Sequence, residues 1–285
     1  MIGLAVAGLE LWLDAVESGV PITLPECHEL FAVPESSPAG LVLRVRGGSL
    51  PPTDGWRPLF SAAKSWHLYQ DGAGRYVFEP ARESLPRRHV TIDACFTQGE
   101  VLGEFDLPPA GGQATYPLQD LDLVIFANWL ADLGDLILHA SGVEVEGRGY
   151  CFAGESGAGK STLAAALAEV PGVTVLGEDQ VVLRLLGGRF WIFGTPWHVN
   201  PARCSPRGAP LDRLFLLDRS NGHGAWPLSP VDGIAGLLQT AFVPYYRPEA
   251  VSRILETLAH LPERVPMDGL SYEMGSDPAV LLRRV

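Results

Sequence analysis

Lysine is scarce in this chain of 285 residues: only Lys64 and Lys160 occur among its 21 basic residues, and the others are arginines. A lysine at a motif position is therefore informative in itself. Cysteine is scarce too, with four residues and no CxxC pair. Cys27 and His28 form the only adjacent Cys/His pair in the sequence, and one such pair cannot hold a metal ion. We therefore expect reduced, structural thiols, as is usual in the cytosol.

A basic surface is missing as well, because the formal net charge is −12. Such a charge repels the phosphates of nucleic acids and anionic membranes at long range, so neither is expected as a partner. The apolar segment 1–16 contains Glu10 and Asp14, is too short for a membrane helix, and lacks the basic start of a targeting signal. With 47% hydrophobic and 19% charged residues the composition is globular, and we expect a cytoplasmic protein.

The first part of the chain, residues 1–118, is predicted to be rich in β-structure. Three segments alternate apolar and polar residues between turn signals: 41–48, 65–79 and 89–96. The middle segment is predicted to be a hairpin that turns at 71–74. A stretch rich in proline and glycine, 107–117, predicts the boundary with a second domain at 119–285. We find no catalytic motif in the sequence of the first region.

The second region mixes helical and strand patterns, which predicts an α/β domain. Helices are predicted at 118–134, 161–170 and 248–261, and strands at 136–154, 173–176, 189–197 and 211–219. The first of these strand segments is predicted to contain a hairpin that turns at 146–149.

An eight-residue segment of the second region matches the GxxxxGK[ST] phosphate-loop pattern in full: Gly154-Glu155-Ser156-Gly157-Ala158-Gly159-Lys160-Ser161. Apolar residues precede it and an Ala/Leu-rich helix follows it, as the pattern requires. Glycines let backbone N–H groups curl around phosphate oxygens, and the helix N-terminus adds partial positive charge. Lys160 is expected at the β- and γ-phosphates and the Ser161 hydroxyl at Mg²⁺. The alternative is a glycine-rich turn without a ligand.

A pair of acidic residues, Glu178 and Asp179, follows the predicted strand 173–176. Two carboxylates at the end of a strand can hold Mg²⁺ or accept a proton from an attacking hydroxyl. Glu178 lies 18 residues after Lys160, which leaves room for one helix, one turn and one strand. This spacing places the pair on the strand reached directly from the helix of the loop. The alternative is a solvated acidic turn.

These motifs resemble the nucleotide-binding core shared by HPr kinase/phosphorylase and the phosphoenolpyruvate carboxykinases. The matching segments are His139-Ala140-Ser141-Gly142, then FAGESGAGKSTLAAAL, then LGED followed by VVL. The resemblance covers residues 139–183 closely and the rest of 119–285 loosely. It implies an α/β fold with a P-loop core and a mixed sheet, preceded by the β-rich N-terminal region.

The resemblance also implies roles for individual residues. The loop and Thr162 would bind ATP, and His139 would lie near the transferred phosphate. Glu178 and Asp179 would share metal binding and general-base work, with the base left open because Glu178 stands where aspartate is usual. The chain lacks the further lysines of a carboxykinase and the glycine-rich arginine signature of HPr kinases. The resemblance therefore implies an HPr kinase-related kinase with an unknown acceptor.

A polar loop that contains three prolines, 194–207, supplies further candidates. Arg203 or Arg207 could neutralise charge on a transferred phosphoryl group. His198 lies in the same segment, and Trp197 could pack against a base or fill the core. For each of them the alternative is an ordinary place in a surface loop. Three later aromatic residues are interpreted as packing: Phe242, Tyr245 and Tyr246.

Two functions are consistent with these motifs. A kinase would transfer the γ-phosphate of Mg-ATP to a hydroxyl of a small molecule, a peptide or a protein serine, because such an acceptor benefits from a nearby base. A nucleotide-binding regulatory switch or a degenerate kinase is the alternative. The Asn-Lys-x-Asp motif of GTPases and the Leu-Ser-Gly-Gly-Gln motif of transporter ATPases are absent from the sequence. The acceptor, a homo-oligomeric state, the role of the first region and a reverse phosphorylase reaction stay open.

Overall fold

The computed structural model describes residues 1–15, 19–34, 38–81, 87–105, 115–218 and 224–272. The chain divides into two compact units, Met1–Trp129 and Leu130–Val285. Most of the stretch 107–117, where the sequence predicts a domain boundary, lies outside the described residues. In the parts of the chain that the structure describes, no helix is both long and apolar enough to cross a membrane.

The described part of the first unit is built on one mixed sheet. Its strands are β1 (Ile2–Val6), β2 (Leu9–Asp14), β3 (Ala32–Val33), β4 (Leu41–Gly47), β5 (Arg57–Ala62), β6 (Trp66–Gln70), β7 (Tyr76–Pro80), β8 (Arg88–Ile92) and β9 (Gln98–Gly103). Their order is β3-β1-β2-β4-β9-β8-β7-β6-β5, with β4 parallel to both of its neighbours. A short helix, α1 (Glu26–Glu29), lies between β2 and β3, and α2 (Asp122–Asp132) follows β9.

The strand predictions in this unit are confirmed, and β4 shows why they succeed. Leu41, Leu43 and Val45 are buried, whereas Arg44 and Arg46 alternate with them and are exposed. Successive side chains of a strand point to opposite faces of the sheet, so the alternation in sequence becomes one buried and one solvated face. The predicted hairpin is also present, as the antiparallel pair β6 and β7.

The described part of the second unit combines a larger number of helices with a second mixed sheet. Its strands are β10 (Leu136–Leu138), β11 (Ala140–Val145), β12 (Arg148–Ala153), β13 (Val173–Gly177), β14 (Val181–Leu186), β15 (Arg189–Phe193), β16 (Gly208–Leu217), β17 (Gly224–Pro227) and β18 (Met267–Ser271). Its α-helices are α3 (Lys160–Ala168), α4 (Pro230–Gln239), α5 (Pro248–Ala259) and α6 (Leu261–Arg264). A 3₁₀ helix covers Pro201–Arg203. The chain is thus a mixed α/β protein with large mixed sheets, as predicted.

Strand β16 organises this second sheet, whose order is β10-β14-β15-β16-β12-β11-β13. The first residues of β16 pair antiparallel with β15, and its remainder lies parallel to β12 on one side and β18 on the other. Strand β17 pairs with the outer side of β18. Because parallel strands run in one direction, the carboxyl ends of β12, β16 and β18 lie side by side. Ligands of open α/β sheets bind at this edge.

Helix α3 is held on the sheet by its apolar face. Leu163 and Leu167, four residues apart and therefore on the same side of the helix, are fully buried. They belong to one core cluster with Phe152 and Phe215, whose rings stack with centroids 5.2 Å apart. This packing fixes the start of α3 directly after the loop that leaves β12.

Helix α4 is absent from the sequence-based prediction, although its start carries a recognisable signal. Ser229 is the N-cap, its Oγ accepts from the Asp232 N–H at 3.2 Å, and Pro230 occupies the first turn. Gly233 and Gly236 interrupt the apolar pattern and lower the intrinsic helix propensity, which explains why the pattern was missed.

Candidate functional site

A glycine-rich loop, residues 154–159, connects the end of β12 to the start of α3. Gly157 and Gly159 have φ angles of 82° and 104°, in the left-handed region that favours glycine. Gly159 is the N-cap of α3, and it makes no side-chain hydrogen bond to the first turn of the helix. The first N–H groups of every α-helix lack intrahelical partners, and at α3 the N-cap supplies no side-chain acceptor for them. Together with the helix dipole they favour an anion at this position.

The side chain of Lys160 folds back over this loop. Its Nζ donates to the carbonyl oxygens of Gly154 at 2.8 Å and Glu155 at 3.0 Å, and the residue is only 5% exposed. Burial lowers the pKa of Lys160, while the Asp179 carboxylate opposes that shift. The ammonium group is thus fixed at the loop and interacts electrostatically with Asp179.

The acidic pair follows β13, and each carboxylate faces a basic side chain. Asp179 Oδ1 lies 3.3 Å from His139 Nδ1. Glu178 Oε2 accepts a hydrogen bond from Arg203 Nη1 at 3.1 Å. The Ser141 hydroxyl donates to the main-chain oxygen of Glu178 at 2.6 Å, which ties the pair to β11. The structure therefore brings together His139, Arg203 and the acidic pair from segments that are far apart in sequence.

Arg207 lies elsewhere, with an exposed side chain. Its Nη2 is 2.9 Å from Glu144 Oε2, and its Nη1 donates to Thr174 Oγ1 at 3.4 Å. Glu144 and Thr174 are paired near one end of the β11–β13 ladder, and the acidic residues follow β13 at the other end. The structure does not bring Arg207 to the other candidates. Ser161 and Thr162 are exposed in the first turn of α3, next to Lys160 in the chain.

The loop that carries Arg203 is held against the end of β13 by close backbone packing. The Ser205 N–H donates to the Leu176 carbonyl oxygen at 3.0 Å. Gly194 lies in this contact: a Cβ there would be 1.9 Å from Ser205 O and 2.3 Å from Leu176 O. A side chain at this position would therefore separate the loop from the strand.

Gly194→Ala is expected to lower the free energy of unfolding by about 1–3 kcal/mol, the cost of overpacking an interior contact. The two oxygens that the new methyl group would meet belong to the backbone and cannot rotate away. Urea denaturation of the full chain measures the effect. Gly72→Ala is the matched control, because a Cβ at Gly72 meets nothing within 4 Å. Equal stability of the two variants would contradict this account of the loop.

His198 belongs to the loop that carries Arg203, and it lies near the acidic pair. Its Nε2 is 3.1 Å from Thr195 Oγ1, and that hydroxyl is also 2.8 Å from the Gln180 carbonyl oxygen, to which it donates. Burial lowers the pKa of His198, and the carboxylates of Glu178 and Asp179 act in the opposite direction. The fold therefore favours the neutral imidazole.

Thermal stability is expected to depend on pH through His198. In the unfolded chain the pKa of a histidine is about 6.5. The pKa of His198 is lower in the folded protein than in the unfolded chain, so as the pH falls the unfolded chain takes up the proton first. The folded protein therefore loses stability as the pH falls from the unfolded pKa through the folded pKa. His198→Gln should therefore lose less thermal stability than the wild type between about pH 7.5 and about pH 5.5. The exposed His260→Gln is the control and should follow the wild type; an identical pH response in all three proteins would argue against the prediction.

Two hollows open beside the glycine-rich loop. A cleft of about 610 Å³ is lined by loop residues 154–158, the end of β16, the middle of β18 at Gly269, and parts of β17 and α4. A smaller hollow of about 360 Å³ contains His139 and Phe242. Both hollows include Gly154, Glu155 and Ser156, so the loop is a wall shared by the two.

The larger cleft contains residues that the sequence-based prediction missed, among them Asp218 and Trp226. Asp218 directly follows the apolar run 214–217 of β16, beside the strand that carries the loop. An apolar strand that ends in aspartate is a signal that could have identified it. Trp226 carries no comparable local signal, because its place depends on the pairing of β17 with β18.

The residues at hand limit how a metal ion could be bound. Within the described residues, no group of three or more His, Cys, Asp and Glu side chains is arranged to hold a metal ion. Candidate oxygen donors include the carboxylates of Glu178 and Asp179 and the Ser161 hydroxyl in the first turn of α3. This set suits Mg²⁺, which is commonly bound by one or two carboxylates together with substrate phosphates and water.

No family model and no curated protein matches the sequence. Among solved structures, the chain is similar to the HPr(Ser) kinase/phosphatase from Coxiella burnetii, with a TM-score of 0.30 and 14% identity over 52% of this chain and 86% of that chain. At this TM-score the similarity carries no argument about function, and the proposals below rest on the geometry described above.

Proposed function

We propose that this chain is a Mg²⁺-dependent kinase that binds ATP on the glycine-rich loop and transfers the γ-phosphate to a hydroxyl acceptor. The proposal rests chiefly on one observation: the buried Lys160 ammonium at the loop interacts electrostatically with Asp179, one of two adjacent carboxylates that His139 and Arg203 contact. Phosphoryl transfer depends mainly on positioning and on neutralisation of charge. A fixed cation and positioned carboxylates are suited to that chemistry.

The triphosphate and Mg²⁺ would be shared between the loop and the acidic pair. Lys160 is the only lysine of the second unit and would neutralise the β- and γ-phosphates. Ser161 and Glu178 would hold Mg²⁺ together with phosphate oxygens. When bound, the ion would add charge neutralisation at those oxygens.

The carboxylate that takes the proton of the acceptor hydroxyl would be Asp179. Its side chain is 43% exposed, whereas that of Glu178 is 16% exposed and already accepts from Arg203. His139 is placed to orient Asp179. Arg203 supplies a guanidinium that can neutralise charge developing on the transferred group.

The test is to incubate the purified full chain with γ-labelled Mg-ATP and a desalted or whole cell extract. Label is expected on a peptide, protein or small molecule with the wild type and not with Lys160→Ala. Label that stays on ATP, or leaves only as free phosphate in every extract, would overturn the kinase proposal.

The ion pair between Arg203 and Glu178 favours a second candidate, a nucleotide-binding switch without transfer. In that case the pair would keep Glu178 from the metal ion, and nucleotide binding would alter a partner interaction instead. Arg203→Ala separates the two: a kinase should lose phosphoryl transfer, whereas a switch held by this pair should gain Mg²⁺-dependent nucleotide affinity.

A further inference from the structure

We infer that the 610 Å³ cleft beside the glycine-rich loop binds the base of the nucleotide, and that Trp226 is the aromatic surface on which the base stacks. The inference rests on the proposed function, since it requires a triphosphate on the loop. It adds a base-binding subsite, made by β17, β18 and α4, which the motifs do not indicate.

The position of the cleft supports this assignment. Loop residues 154–158 form one wall, and Leu216 and Leu217 at the end of β16 form another. The cleft therefore begins where the triphosphate would lie and extends along the carboxyl ends of the parallel strands. Its volume falls within the range of small-molecule sites, roughly 300–1,000 Å³.

The shape of the cleft depends on glycines that face large side chains. A Cβ on Gly269 would lie 2.2–2.4 Å from three atoms of the Trp226 indole ring. Trp226 and Gly269 are directly opposite each other in the β17–β18 pair, so the ring lies against the backbone of β18. A Cβ on Gly236 of α4 would lie 2.2 Å from Leu216 Cδ1. The missing side chains thus let the indole and the leucine pack closely where the cleft forms.

The charges of the cleft indicate which part of a nucleotide it accepts. Its charged lining residues, among those the structure describes, are Glu155 and Asp218, and both are acidic. The Asp218 carboxylate repels phosphate groups, whereas the Lys160 ammonium is fixed on the loop, so the triphosphate belongs at the Lys160 end. The remaining space is bordered by Trp226 and Leu228 and suits an uncharged aromatic ring. Stacking on an aromatic side chain tolerates any base, because every base has a π-face.

The smaller hollow is less suited to the base. It contains His139, whose imidazole faces Asp179, the carboxylate proposed to receive the acceptor proton. A base placed there would occupy the approach of the acceptor to the transferred phosphate. We therefore assign the smaller hollow to the acceptor and the larger one to the base.

The experiment compares two ligands that share the polyphosphate but differ in the base. Isothermal titration of the full chain with Mg²⁺ would use the β,γ-imido analogue of ATP and inorganic tripolyphosphate. Trp226→Ala is expected to lower the affinity for the nucleotide analogue about fivefold to 100-fold and to change the affinity for tripolyphosphate by less than about twofold. Trp226→Phe should retain most of the nucleotide affinity. Trp191→Ala, a half-buried tryptophan stacked on Phe193 outside the cleft, is the control and should bind both ligands normally.

The outcomes separate this inference from the proposed function. The base site would be overturned if Trp226→Ala kept its nucleotide affinity, or if its affinities for both ligands fell equally. In either case, binding of both ligands by the wild type would leave the loop proposal intact. Failure of the wild type to bind either ligand, or full binding of both by Lys160→Ala, would overturn the proposed function and this inference together.

Discussion

Lys160→Ala is expected to weaken binding of Mg-ATP by about 10²–10⁴-fold. A hydrogen bond to a charged group contributes about 1.5–3 kcal/mol, and the ammonium is expected to reach both the β- and the γ-phosphate. The second unit contains no other lysine that could take its place. Isothermal titration with the non-hydrolysable ATP analogue measures the change.

The design must separate lost affinity from lost structure. Lys160 Nζ also holds the carbonyl oxygens of Gly154 and Glu155, so its removal leaves two acceptors without this donor. A destabilisation of about 1–3 kcal/mol is therefore expected in addition and is measured by urea denaturation without nucleotide. Lys64→Ala is the matched control, since it removes an exposed lysine and should alter neither quantity. Affinity within a few-fold of the wild type in Lys160→Ala would refute a phosphate role for the loop.

The elements that the sequence predicted correctly are those whose local pattern and buried face agree. In β4 the alternation of apolar residues and arginines coincides with burial and exposure, and in α3 the spacing of Leu163 and Leu167 matches the face on the sheet. Helix α4 escaped because Gly233 and Gly236 weaken its pattern. Those glycines are explained by tertiary contacts that no local pattern shows: each would meet a neighbouring side chain, Met267 or Leu216, if it carried a Cβ.

Some residues of the site could be predicted from local sequence patterns, and others could not. The glycine-rich loop and the acidic pair are visible in sequence because the spacing of one helix and one strand joins them. The choice between Arg203 and Arg207 was not visible, since it depends on how the loop folds over β13. The structure places Arg203 on Glu178 and Arg207 on Glu144. Trp226 could not be predicted from the sequence for a related reason, because its place at the cleft depends on the pairing of β17 with β18.

Asp179→Asn is expected to reduce the rate of phosphoryl transfer by about 10²–10⁴-fold while Mg-ATP affinity changes less than about tenfold. General-base catalysis typically contributes a rate factor of that size, and an amide cannot accept the acceptor proton. Asp179 is the better placed carboxylate because its side chain is the more exposed of the pair and faces His139. Single-turnover transfer with the acceptor identified by labelling measures the rate, and titration with the non-hydrolysable analogue measures the affinity.

Glu178→Gln provides the comparison that assigns the two roles. Glu178 is held by Arg203 and is proposed as a metal ligand, so its amide variant should need a higher Mg²⁺ concentration for half-maximal transfer. The residual transfer by Asp179→Asn should be half-maximal at the Mg²⁺ concentration that the wild type needs, and it should stay about 10²–10⁴-fold slower than the wild type at every Mg²⁺ concentration. The exposed Glu169→Gln, at the end of α3, controls for the loss of an acidic charge near the loop's helix and should behave as the wild type. If Glu178→Gln instead loses transfer at saturating Mg²⁺ and Asp179→Asn is rescued by added Mg²⁺, the two carboxylates have the opposite roles. Full transfer by both variants would exclude the acidic pair from the reaction.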